Sequence, residues 1–150
     1  GPSAITDFAR SVGDAQTRLD RWEPALNEAK PGDPRDTTTP RALCGGYRAI
    51  LAGDALSGAA QSQLQRWMAA TTTSTRRFRA GVPAGWTSAD KTGGGDYGST
   101  NDAGMLIGPK GERVVLAVLI RTRTVQRDAG PFNDAVADCV RSVLARLDHS

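Results

Sequence analysis

Residues 20–27 read Asp20-Arg21-Trp22-Glu23-Pro24-Ala25-Leu26-Asn27, and how this stretch is read decides the fold. Its carboxylate, Glu23, is embedded in a segment built neither as helix nor as strand. Across residues 20–36 no helical or strand-like apolar period is sustained, and Pro24, Pro31, Gly32 and Pro34 break the chain repeatedly. A connection without regular structure longer than about 12–15 residues is uncommon in a compact domain and is usually a functional loop. Charges bracket this one: Asp20 and Arg21 on entry, Asp33, Arg35 and Asp36 on exit. Crossed arginine–aspartate pairs at the two stems would close it into a compact Ω-shaped loop. Closure of that kind holds Glu23 still, as a general base requires. The same pattern also suits a solvated loop with a surface glutamate.

Working outward, helices flank the loop. Ile5, Phe8 and Val12 form one face of a short helix, with Ser3 as its cap and Gly13 as its stop. Thr39-Pro40 reads as cap and first helical residue of a helix whose inner face is Leu43, Tyr47, Ile50 and Leu51, ending at Gly53. Gly45 and Gly46 inside it each cost about 1 kcal/mol against alanine, and close helix packing would account for them. Ser57 caps a third helix carrying Leu64, Trp67 and Met68. A threonine-rich joint at 71–75 leads to a short basic helix stopped by Gly81, then to a Pro83-Ala84-Gly85 turn.

From Trp86 onward the period changes to that of strands. Residues 87–92 form a strand running into Gly93-Gly94-Gly95, and Ala103, Met105 and Ile107 alternate on a second. Gly108-Pro109-Lys110-Gly111 makes a turn, and residues 114–120 form a continuous apolar third strand, expected to be buried on both faces. Pro131 opens a final helix with Phe132, Val136, Val140, Val143, Leu144 and Leu147 on one stripe. The fold class is therefore α/β of the α+β type, an antiparallel sheet flanked by helices. Residues 1–85 supply helices and the Ω-loop, and residues 86–150 a three-strand meander plus the C-terminal helix. An apolar third strand leaves an open edge, and the final stripe asks for more partners than the chain supplies, so the chain reads as part of something larger.

Composition bounds the function. With 150 residues the chain is about one domain, and a net charge of +3 is too small to argue for nucleic acid or a membrane surface. The densest basic run, Arg76-Arg77-Phe78-Arg79, is short and suits a solvated helix face better than nucleic-acid binding. No run approaches the roughly 20 apolar residues of a membrane span. No signal peptide opens the sequence, which is equally true of a mature secreted protein. Cys44 and Cys139 are far apart, lack a CxxC pattern and fall on apolar helix faces, where small core residues are expected, with a disulfide as the alternative. The single histidine, His149, leaves no histidine triad and no His/Cys metal site to build, so no metal or other cofactor is expected.

A second constellation is Lys91-Thr92-Gly93, followed by Gly94-Gly95-Asp96, at the end of a predicted strand. An ammonium and a hydroxyl near a strand edge, with glycines that let a ligand lie against backbone N–H groups, suit an anionic, amide-like substrate. Alone the tripeptide is weak, and a strand ending in a glycine turn explains it as well. Taken in order with residues 20–27, Asp36-Thr37-Thr38-Thr39-Pro40, Pro83-Ala84-Gly85-Trp86 and Asp90-Lys91-Thr92-Gly93, it closely resembles the class A serine β-lactamases. The resemblance runs from the first helix to the last. Penicillin-binding proteins share a KTG box but not this loop.

The resemblance implies a serine β-lactamase/penicillin-binding-protein-like fold, of which this chain is the C-terminal part. It implies that Glu23 activates the hydrolytic water for deacylation, that Asn27 helps to hold that water, and that Glu23-Pro24 is a cis bond. Arg21 with Asp36 would be the ion pair at the loop neck. Lys91 and Thr92, with Gly93, would bind the substrate carboxylate, while the Gly94 N–H would form half of the oxyanion hole. Gly95 beside it would shape the acyl side-chain pocket. Many relatives carry an arginine where this chain has Thr100, and Arg77 resembles the substitute used by actinobacterial members; Arg76 and Arg79 are then simply solvated. A secreted or periplasmic, cell-envelope location follows from the same likeness, as does a β-lactam substrate of penicillin type.

The family's serine nucleophile, in an S-x-x-K box, and its S-D-N box are absent. Ser88-Ala89-Asp90-Lys91 matches S-x-x-K in letters, but Lys91 belongs to the KTG box, and the nucleophile box needs a helix to bring serine and lysine onto one face. Ser99-Thr100-Asn101 imitates the third box equally poorly. Two functions stay open. In one, the chain is the deacylating piece of a β-lactamase, inactive alone, whose nucleophile lies on an N-terminal part that is its partner. In the other, it is a non-catalytic module that binds β-lactam-like or peptidoglycan-like ligands, or a complementing chain, with the covalent route closed.

Overall fold

The structure is a computed structural model that describes residues 1–123 and 126–147; His149 lies outside them. Helix α1 spans Pro2–Ser11, α2 Pro40–Leu51, α3 Gly58–Ala69 and the short α4 Phe78–Gly81. Three strands follow, β1 Thr87–Gly94, β2 Thr100–Ile107 and β3 Arg113–Ile120, then α5 Asn133–Leu147. The strands form an antiparallel sheet in the order β1-β2-β3. The expected meander is therefore present. Strand β1 runs further than expected, with Gly94 paired to Thr100, so the whole KTG box sits inside the ladder.

The central strand feeds two cores because its side chains alternate across the sheet. Met105 joins Ala89, Leu51 and Met68 on the side covered by α2 and α3. Leu106 joins Phe78, Val118, Val136, Val140 and Leu144 on the side of α4 and α5. Each fully buried Phe, Leu or Val side chain contributes roughly 1.5–3 kcal/mol. The α5 stripe thus finds its partners within the chain, contrary to expectation, and only its ends, Phe132 and Leu147, are exposed. Gly81 makes that packing possible: a Cβ there would meet Ala137 O at 2.5 Å and Val140 Cβ at 2.6 Å.

Local chemistry explains most helix starts. The Thr39 hydroxyl accepts from Ala42 N at 3.2 Å, and the Ser57 hydroxyl from Ala60 N at 3.4 Å, each satisfying a free first-turn donor. Ser3 is not a cap. Pro2, with φ already suited to a helix, takes the first turn, so α1 starts before Ser3 reaches the cap position. At the other end Pro131 follows a cis peptide bond and α5 begins two residues later, at Asn133.

Other expectations need correction. Strand β3 is half-buried rather than buried on both faces, with Val118 its one buried residue, because among the described residues it pairs with β2 alone and stands at the edge of the sheet. Trp67 of α3 is 68% exposed rather than packed in the core. Gly45 and Gly46 have open space rather than a close helix beside them. Cys139 lies on the exposed side of α5 instead of in the core. Cys44 is half-buried and donates from Sγ to Val115 O at 3.3 Å; both cysteines are free thiols.

Candidate active site

The loop at 20–36 is closed at its neck by one arginine–aspartate ion pair and by side-chain bonds to the backbone around it. Arg21 Nε meets Asp36 Oδ2 at 2.5 Å, and Arg21 Nη1 reaches Glu28 Oε2 at 2.7 Å. Asp36 Oδ1 also accepts from Asp20 N at 2.7 Å and Arg21 N at 3.0 Å, while Asp20 Oδ2 accepts from Asp36 N at 2.9 Å. Burial opposes ionisation of Asp36, but the Asp20 N–H and the Arg21 guanidinium outweigh it and hold the carboxyl below the usual range. The other pairs expected to cross the stem are local instead. Arg18 binds Asp20, and Arg35 binds Asp33 at 2.6 Å. Short sequence separation wins there because little chain entropy is lost in closing those pairs.

Within the loop, Glu23-Pro24 is cis and Ala25–Glu28 forms a single 3₁₀ turn. That turn brings Asn27 back over Glu23, and Asn27 Nδ2 donates to Glu23 Oε2. The Asn27 carbonyl then accepts from Asp96 N at 3.0 Å, which docks the loop on the end of β1. The fit requires Gly95, where a Cβ would stand 2.7 Å from Asn27 O. Between loop and strand lies a cleft of about 730 Å³ lined by Glu23, Asn27, Gly93, Gly94, Gly95 and Asn101. Glu23 is exposed to it. The arrangement offers a solvent-facing carboxylate, an amide beside it and a glycine edge that a ligand backbone can approach.

The KTG residues alternate across the sheet. Lys91 is exposed on the α2/α3 side, where its Nζ donates to Thr92 O at 2.7 Å. There it borders a separate apolar hollow of about 480 Å³ with Ile5, Phe8, Tyr47 and Trp67. Thr92 faces the other side and shares a hydrogen bond of 2.5 Å with the Thr73 hydroxyl. Sequence-predicted residues therefore fall in two groups. Glu23, Asn27 and the three glycines share the cleft; Lys91 and Thr92 stand on the strand that forms its wall.

Arg77 is engaged with the protein itself. Its Nη1 donates to Gly93 O and Asn101 O, both at 2.7 Å, and its Nε to Asn133 Oδ1 at 2.8 Å. It clamps the paired residues of β1 and β2 to the start of α5, directly behind the glycine edge. Arg76 is solvated as expected, 3.7 Å from Asp134. Arg79 is not simply solvated: it donates to Ala69 O at 2.7 Å and lies 4.0 Å from the buried Asp90.

Ser88 is buried on β1, and its Oγ donates to Asp90 Oδ1 at 2.5 Å, so the literal S-x-x-K carries no helical serine–lysine pair. Sequence reasoning missed the polar interior: Asp14, Ser74, Asp90 and Asp102 are all buried. Asp90 and Asp102 fall on the strand face opposite Ala103 and Met105, which apolar alternation alone marks as the outer one; the cover supplied by α4 and α5 is what buries it. Among the described residues no group of three His, Cys, Asp or Glu side chains could hold a metal ion.

Comparison with known proteins places the chain. The sequence profile of the "Beta-lactamase enzyme family" matches residues 1–145. A β-lactamase of Streptomyces lavendulae is 56% identical over 147 residues, covering 98% of this chain and 48% of that protein. The β-lactamase FAR-1 of Nocardia farcinica is 46% identical, over 98% of this chain and 46% of its own. The solved β-lactamase of Streptomyces albus G superimposes with a TM-score of 0.92 at 49% identity, covering 98% of this chain and 54% of that one. A reconstructed class A ancestor of Gram-negative bacteria, as its W229D mutant, also gives 0.92, over 99% of this chain and 56% of its own. The chain spans about half the length of the relatives it matches.

Proposed function

The chain belongs to the class A β-lactamases of the beta-lactamase enzyme family, and from that premise we propose that it supplies the deacylating half of a serine β-lactamase acting on penicillin-type antibiotics. The observation that carries the reading is the Glu23–Asn27 pair held over the glycine edge by the Asn27 O to Asp96 N bond. A water accepted by Glu23 and held by the Asn27 amide would stand in the cleft beside Gly94. There Glu23 takes a proton from the water, and the resulting oxygen nucleophile attacks the acyl carbon of a serine ester. The bond from that carbon to the serine oxygen then breaks, Glu23 returns the proton to the leaving serine oxygen, and the acyl group departs as a carboxylic acid. The Gly94 N–H, at the end of β1, is the donor for the developing oxyanion. Lys91 and Thr92, on opposite faces of the edge strand β1, would reach the substrate carboxylate from either side of that edge. Gly93 and Gly95 keep the edge free of side chains, while Arg77, spent on Gly93 O and Asn101 O, holds that edge in place as much as it attracts the carboxylate. The nucleophile comes from an N-terminal part of the same enzyme, and the chain alone is inactive.

No cofactor enters this reading, and no nucleic acid or membrane partner does. The described helices include none long and apolar enough to cross a membrane. A secreted or periplasmic, cell-envelope location follows the family.

The test is intact mass after co-expression with an N-terminal part that carries the serine, with and without a penicillin. The wild-type pair should turn the penicillin over, with little adduct. Glu23→Ala should slow turnover by about 10²–10⁴-fold, the usual worth of a positioned base, and leave a penicillin-mass adduct on the N-terminal polypeptide. Unchanged turnover in Glu23→Ala removes Glu23 from the mechanism. Penicillin held without any covalent adduct supports the other reading, a binding module.

A further inference from the structure

Beneath the KTG strand, on the α4/α5 side of the sheet, Asp90 and Asp102 are both fully buried. In the β1–β2 ladder Asp90 pairs with Gly104 and Asp102 with Thr92, so the two carboxyls are diagonal neighbours on one face. Asp90 Oδ1 accepts from Ser88 Oγ at 2.5 Å and has Arg79 Nε 4.0 Å away. Asp102 Oδ2 accepts from Ser74 Oγ at 2.8 Å and Phe78 N at 3.2 Å. The remaining oxygens, Asp90 Oδ2 and Asp102 Oδ1, are buried and meet no donor among the described residues. Ionised carboxylates only accept hydrogen bonds, so two of them side by side leave these oxygens unpaired and repel each other. A single proton removes both faults, because a carboxyl O–H on one can donate to the other.

We propose that Asp90 and Asp102 hold one proton between them, as a carboxyl–carboxylate dyad that positions Lys91 and Thr92 from beneath the sheet. Asp90 adjoins Lys91 in the chain, and Asp102 is the ladder partner of Thr92. Through Ser74 and the Phe78 N–H the dyad ties both strands to the segment that also carries Thr73, on the Thr92 hydroxyl, and Arg77, on the Gly93 carbonyl. Gly104 lets the strands close over it: a Cβ there would lie 2.2 Å from Ala89 O and 2.6 Å from the Asp90 Cα.

The surrounding charges balance on this count. Arg79, at the α4 side, is the cation facing the pair; with one proton and one guanidinium the two carboxyls are neutralised. Tyr47 lies across the sheet, on the α2 side, its phenol pushed up by burial first and by the charges of Asp102 and Asp90 next. Lys91 and Arg77 direct donors to backbone carbonyls. From β3 the partner of Asp102 is Val118, and the buried residues of α5 are apolar. Burial, then the charge of Asp90, push the Asp102 carboxyl up to about 7, against the Ser74 and Phe78 donors.

The inference does not depend on the proposed hydrolysis, and its test uses the isolated 150-residue chain. The folded pair keeps a proton that an unfolded aspartate releases above its ordinary value of 3.8. Stability should therefore fall as pH rises from there towards 7, the unfolding constant growing by up to about tenfold per pH unit, and level off above. Asp102→Asn, which mimics the protonated carboxyl, should remove that slope. At pH 6 the infrared C=O stretch of a protonated carboxyl should be present in the wild type and lost in Asp102→Asn. The amide resonances of Lys91 and Thr92 should move with that titration in the wild type alone. Absence of the infrared band at pH 6, or parallel stability profiles, overturns the shared proton. Lys91 and Thr92 resonances indifferent to the titration overturn the positioning role. If the variant does not fold, the wild-type infrared band decides alone.

Discussion

At the neck of the loop, Asp36 meets the Arg21 guanidinium at 2.5 Å and two backbone N–H groups; inside the sheet, Asp102 meets one hydroxyl, one N–H and a second aspartate. Both side chains are withdrawn from water, at 4% exposure for the Asp36 side chain and none for Asp102. Burial alone therefore does not decide the charge of a carboxyl. Donors do: Asp36 has enough of them to stay ionised and is held below the usual range, whereas Asp102 does not and is pushed above it. The two sites respond to pH with opposite sign. The neck contributes stability above the ordinary aspartate value and loses it as pH falls through its lowered one. The dyad is most favourable at low pH and weakens as pH rises towards 7.

The largest break in this comparison should come from Asp36→Ala. It strands the N–H groups of Asp20 and Arg21 and leaves Arg21 with Glu28 as its remaining partner. Unsatisfied donors cost about 1–3 kcal/mol each, so a total near 3 kcal/mol is expected, read as a lower urea midpoint. Proteolytic cutting within residues 20–36 should accelerate alongside. A loop that resists the protease as before would mean that the neck is held by something other than Asp36.

A middle effect sharpens how the loop is seated rather than how it is closed. Gly95→Ala puts a Cβ 2.7 Å from the Asn27 carbonyl, and neither backbone can yield without moving the loop off β1. Overpacking of this kind typically costs about 1–3 kcal/mol. The Asp96 N–H, bonded to Asn27 O, should exchange with solvent faster in the variant while amides of β2 keep their protection. Equal protection in both proteins would show that the loop does not rest on Gly95.

These two regions also differ in how far they could be read from sequence. The loop was legible because proline and glycine announce irregular backbone and because charges at both stems announce closure. Its pairing was only half legible: Arg21–Asp36 crosses the neck, but Arg18–Asp20 and Arg35–Asp33 close locally, and residue type alone does not rank those options. Strand periodicity located all three strands, yet it overstated the burial of β3, since apolar content says nothing of which strand ends at an edge. The dyad went unread because an aspartate in a strand looks like a solvent-facing residue until the register puts it opposite Gly104. Arg77 shows the limit in the other direction. A family likeness suggests a ligand contact, while its Nη1 and Nε are occupied by Gly93 O, Asn101 O and the Asn133 side chain.

The smallest expected effect is the most useful control on the neck. Arg18 bonds Asp20 through two nitrogens and looks on paper as strong as Arg21 with Asp36. Its side chain is 44% exposed, however, and the pair joins residues two apart, so it closes no loop. Exposed pairs gain little from their charges because water screens them and two long side chains lose freedom in meeting. Asp20 would still accept from Asp36 N after Arg18 is removed. Arg18→Ala should therefore leave the urea midpoint and the loop's protease resistance unchanged within error, while Asp36→Ala lowers both. A loss in Arg18→Ala comparable to that in Asp36→Ala would mean that the stem is secured by summed surface charge, and the contrast between a donor-rich neck and a donor-poor dyad would no longer explain why one aspartate stays ionised.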